Sequence, residues 1–88
     1  MPENLKLVLI EWLDSHASRG WQDLKEIQQA AEPLYCRSVG WLIHDDKRVK
    51  SIVPHLAGEQ NGDILLHGCG NITIPTKSVV KMTILKDR

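Results

Sequence analysis

The spacing of apolar residues changes period at Pro33, and no other feature bounds the fold as tightly. Ahead of it, Leu5, Val8, Leu9, Trp12 and Leu13 follow the i, i+3, i+4, i+7, i+8 pattern of one helix face, with Asn4 in the N-cap position. Leu7 and Ile10 stand off that stripe, so such a helix is apolar over more than half its circumference and wants partners on two sides. After a polar stretch from Asp14 to Gly20, Leu24, Ile27 and Ala31 give a second helical line from Trp21 to Ala31, which Pro33 stops.

Beyond Pro33 the period falls to two. Val39, Trp41 and Ile43 alternate within Tyr35–His44, and that phase predicts a core face. Arg48–Leu56 is the next strand, and the turn Asp45-Asp46-Lys47 joins the two as a hairpin. A loop over 57–63 leads to short strands at 64–67 and 71–74, separated by Gly68-Cys69-Gly70. Thr76-Lys77-Ser78 suits one 3₁₀ turn, and Val80, Met82 and Ile84 alternate in a last strand over 79–85.

The expected fold is therefore α+β. One N-terminal helix, or two, over 1–32 packs on a five-stranded SH3-like or Sm-like small β-barrel over 34–86, the whole of 1–88 being a single domain. A chain of 88 residues buries only about 60% of its unfolded surface, so its core is thin. An apolar residue left outside is then a candidate for a subunit contact. The wide apolar helix nominates Val8, Ile10 and Trp12, with Trp21 as a second tryptophan anchor.

Charge excludes the general polyanion binder, since eleven basic residues balance eleven acidic ones. Two cysteines, no secretory leader and no long apolar run point to reduced thiols and a cytoplasmic chain, without membrane contact.

Several spread-out segments carry a family likeness. Glu32-Pro33, Cys36-Arg37-Ser38-Val39-Gly40-Trp41-Leu42, Asp45-Asp46, Pro54-His55, Gly68-Cys69-Gly70 and Ile74-Pro75 resemble a group of small uncharacterised bacteriophage-encoded proteins, over about Trp21 to Leu85. The resemblance implies a phage or prophage gene, and by analogy an accessory protein with an anti-defence role. The strand order is also similar to the Sm-like fold, whose rings imply a homo-oligomer.

Three kinds of site chemistry compete. Cys36, His44, His55, His67 and Cys69 are zinc-type donors, but no paired knuckle is present, so neither metal nor cofactor is expected. Cys69 with His55 or His67 as base and Asp45 or Asp46 as orienter would make a small cysteine hydrolase. The preferred reading is non-catalytic binding, by a homo-oligomer, of a host macromolecule or a small nucleotide-like anion. In that site His55 and His67 donate hydrogen bonds, Arg48 or Lys50 neutralises the anion, and Gly68 and Gly70 permit close approach. An Sm-like RNA binder is the other alternative, with Tyr35 and Trp41 as stacking platforms.

Overall fold

A computed structural model describes residues 5–59 and 65–86. The described residues are mostly β, with seven strands and one short helix: β1 (Leu7–Asp14), α1 (Leu24–Gln29), β2 (Leu34–Asp45), β3 (Val49–Val53), β4 (His55–Gly58), β5 (Leu65–Cys69), β6 (Ile72–Pro75), a 3₁₀ turn (Thr76–Ser78) and β7 (Val79–Ile84). The main sheet has five strands in the order β6-β3-β2-β1-β7, and β4 and β5 form a separate two-stranded ribbon. Its neighbouring strands pair antiparallel.

This corrects the expected helix-on-barrel architecture. The segment read as the first helix is β1, an inner strand of the sheet, and its expected cap Asn4 lies outside the described residues. Its apolar residues satisfy both periods, but Val8, Ile10 and Trp12 are β-branched or aromatic and sit at spacing two. Leu7 and Ile10, awkward on a helix, fall naturally on opposite faces of a strand. Pairing on both sides, with β2 and with β7, then outweighs helix propensity.

The second expected helix survives only as α1, whose six residues are all exposed and cover no sheet. Asp23 caps it by accepting from the Lys25 N–H at 3.2 Å. Nor is there a closed barrel: β6 and β7 end the sheet without pairing to each other among the described residues. The hairpin, the 3₁₀ turn and the last strand stand where the pattern put them. One expected strand breaks, at Pro54, into β3 and β4, and the expected bend over Gly68–Gly70 narrows to Gly70, whose φ of 79° suits glycine, while β5 runs on through Cys69.

The core lies on the inner face of the sheet. Val8, Ile10, Trp12, Ile52 and Ile74 are buried, with Cys36, Leu42, Ile72, Val79 and Met82 packed against them. Each aliphatic side chain fully buried there contributes about 1.5–3 kcal/mol. The Trp12 indole N–H donates to the Ser38 hydroxyl at 3.0 Å, which satisfies its one polar atom inside the core.

The outer face carries the opposite phase. Leu7 pairs with Trp41, Leu9 with Val39, Glu11 with Arg37 and Leu13 with Tyr35, while Thr83 and Lys81 extend the second and third of these rows onto β7. The Val39–Trp41 alternation expected in the core thus faces outward. The register shift between Leu42 and His44 takes Ile43 out of the alternation, and Ile43 too is exposed.

Candidate functional site

The six residues expected to form a ligand site occupy two ends of the β3–β6 ladder. Arg48 and Lys50 lie at the hairpin end, where the Arg48 carbonyl accepts the Thr76 N–H at 3.0 Å and Lys50 pairs with Ile74. His55, His67, Gly68 and Gly70 lie beyond the other end, in and around the β4–β5 ribbon. From Lys50 to His55 the chain runs up to roughly 16 Å when extended. Lys50 is also engaged, since its ammonium forms an ion pair with Asp45. What the sequence could not show is that the segment of His67 and Gly68 pairs beside His55 rather than beside Arg48.

The hairpin end is a tightly bonded turn. One Asp46 carboxylate oxygen accepts the Arg48 and Val49 N–H groups at 2.7 and 2.9 Å, and the other meets His44 Nε2 at 2.7 Å. The Asp46 carbonyl accepts the Thr76 hydroxyl at 2.9 Å. The His44 contact first, then the two backbone donors, pull the Asp46 carboxyl from 3.8 down to about 2. These bonds spend the acidic pair on the turn itself, leaving nothing aimed at a cation.

At the ribbon end the glycines serve packing. A side chain at Gly68 would meet Val53 Cγ2 at 2.8 Å, and one at Gly70 would meet Pro54 Cγ at 3.2 Å. The close approach these glycines permit is therefore taken by Val53 and Pro54. Gly68 lies over the Val53 side chain, which is buried.

His55 stands opposite Cys69, and His67 opposite Ala57, so both imidazoles and the thiol share one ribbon face. Among the described residues no hydrogen bond joins that thiol to an imidazole, and Asp45 and Asp46 sit at the far end of β3. Among the described residues no three His, Cys, Asp or Glu side chains gather as a metal site either. Cys36 is half-buried beside the core, its thiol 3.7 Å from the Leu34 carbonyl.

An open cleft of about 520 Å³ lies between sheet and ribbon. Its apolar walls include Ile52, Val53 and Leu56, and its polar groups come from His44, His67 and Asn71. Of the six expected ligand residues, His67 and Gly68 line it.

The four expected interface residues divide as sharply. Val8, Ile10 and Trp12 are inside the chain, because a strand turns alternate residues inward where a helix would have exposed some of them. Trp21 is fully exposed, at 105%. The surface that sequence reasoning missed is the outer sheet face, where Leu7, Leu9, Val39 and Trp41 form one patch with Val39 51% exposed. Its signal was present: Ser38 and Gly40, small residues alternating with Val39 and Trp41, mark the crowded side of β2.

No helix among the described residues is long and apolar enough to cross a membrane. Comparison with known protein families, with curated proteins and with solved structures finds no match, and so nothing there bears on the expected bacteriophage kinship.

Proposed function

We propose that this chain is a non-catalytic binding protein whose outer sheet face and exposed β1–β2 connection take up an apolar protein surface. One observation carries the reading. Among the described residues ten large apolar side chains are exposed while six apolar residues are buried, so more apolar surface faces outward than one chain can cover. The patch is also rimmed by polar groups, as docking surfaces are: Glu11 accepts the Tyr35 hydroxyl and meets Arg37 at 3.5 Å. That bond, followed by burial, raises the Tyr35 hydroxyl above its ordinary pKa.

Native mass spectrometry of the protein purified from its own host tests this. The expected result is a complex, with itself or with a second protein, that Val39→Lys abolishes and Cys69→Ser leaves intact. A bare monomer at every concentration overturns the reading.

The cleft beside the ribbon favours a second one, the binding of a small uncharged ligand. Its described lining has apolar walls and imidazole and amide groups, with neither lysine nor arginine to neutralise a phosphate. The same spectra would then show a retained small-molecule mass, lost in His67→Ala.

A further inference from the structure

We infer that the surface covering this patch is a second copy of the chain, and that the two copies exchange the segment 15–33 as reciprocal arms. The inference rests on the protein-binding reading above and names its partner. Residues 15–33 join β1 to β2 with α1 as their one element, and the stretch 15–23 ahead of α1 is longer than the about 4–6 residues usual for a connection in a compact domain. The arm has order of its own. Its base is held by β1–β2 pairing at Asp14 and Leu34 and by His16 Nε2, 2.5 Å from the Glu32 carbonyl. Its tip holds α1, whose N-cap is satisfied. On this prepared scaffold Trp21 is fully exposed, Leu24 is 73% exposed and Ile27 is 46% exposed. Leu24 and Ile27 are three apart and so share one side of the helix.

A receiving hollow lies at the opposite end of β1. It has a volume of about 570 Å³, apolar walls from Leu5, Leu7, Trp41 and Ile84, and Lys6 and Lys86 on its border. Leu7 and Trp41 carry this hollow directly into the outer-face patch. The arm leaves β1 at Asp14 and the hollow begins before Leu7, so the strand separates them by about 23 Å at its usual rise. An arm therefore meets the hollow of another copy more readily than its own.

Charge and area both fit. With Asp23 and Glu26 set against Lys25, α1 and its cap carry one net negative charge, which would meet a hollow bordered by Lys6 and Lys86. Burying Trp21, Leu24 and Ile27 removes on the order of 400 Å² from one arm, with a similar area from the hollow. One such contact reaches only the size of incidental packing. Two, related by a two-fold axis, reach about 1,600 Å², the usual size of a stable interface. The geometry thus favours a closed dimer over an open chain.

Charge exchange tests the pairing while leaving the core alone. Lys6→Glu with Lys86→Glu makes arm and hollow both acidic. Asp23→Asn with Glu26→Lys makes both basic, and asparagine keeps the cap acceptor. Wild type should sediment at twice the chain mass. Each double variant alone should dissociate at least tenfold more readily, an equimolar mixture should form a one-to-one dimer, and all four changes in one chain should restore the homodimer. Circular dichroism matching wild type shows each variant folded. Double variants that dimerise as well as wild type, or a mixture that stays apart, overturn arm exchange. If Val39→Lys still breaks such a complex, or if the partner is a different protein, the binding reading stands and only the exchange falls. A wild-type chain that stays monomeric with no partner removes both.

Discussion

Trp12 and Trp21 are separated by one turn of the chain out of β1, yet one is 9% exposed and the other fully so. Trp12 lies on the inner face of a strand paired on both sides, its indole N–H bonded to Ser38. Trp21 lies in a connection that covers no sheet. The comparison teaches that residue type did not decide burial here; position in the ladder did. Apolar residues in β1 stabilise the chain that carries them, whereas those of the arm stabilise only what the arm touches.

The strongest way to break this division is Ile10→Ala. Ile10 is wholly enclosed, so the cavity should cost about 2–5 kcal/mol in urea unfolding. A cost below 1 kcal/mol would mean the inner face is loosely packed and the division unreal. Next comes Gly68→Ala, which asks whether the ribbon belongs with the packed interior. Its new methyl must displace Val53, at about 1–3 kcal/mol. An unchanged midpoint would place the ribbon with the arm instead. Trp12→Phe removes the bond to Ser38 and should cost about 1 kcal/mol from that bond, beyond the smaller ring.

Asp46 sharpens the comparison from a third side, as an exposed residue that is nonetheless held in place. Its folded pKa of about 2 lies below its ordinary 3.8. The stabilisation it gives is complete above about pH 4 and is lost as pH falls through 2. Asp46→Asn should flatten the acid limb of a melting-temperature profile over that window, and an unaltered limb would show that the turn contributes nothing. The smallest effect is expected from Trp21→Ser, within about 0.5 kcal/mol for monomer unfolding, read at concentrations too low for association. A larger loss would mean that the arm packs on its own chain.

Legibility followed the same division. The Asp45–Lys47 turn, the 3₁₀ turn at Thr76 and the alternation of the last strand depend on neighbouring residues and could be read directly. β1 could not, because Leu5 to Leu13 is apolar in both the helical and the strand phase. Only its pairing with β2 and β7, both remote in sequence, resolves the ambiguity. Val39 and Trp41 face opposite to the expectation for a related reason: alternation shows that two faces differ, but not which one the neighbouring strands enclose. The candidate ligand residues stand out by chemistry and flexible surroundings. Arg48 and Lys50 are apart from His55 by their order along the chain, whereas the pairing that sets His67 and Gly68 beside His55 is not carried by single residues.

The inner position of β1 also has a kinetic consequence. The first strand of the chain needs the last one as its neighbour, through pairs such as Val8 with Ile84 and Ile10 with Met82. Contacts so distant in sequence make folding slow relative to helical chains of equal size. During synthesis β1 leaves the ribosome before β2 and can join it, but one of its edges stays open until β7 emerges. For that interval an inner strand of the finished sheet is an unprotected edge, and the sequence best suited to the core is the one most exposed to mispairing.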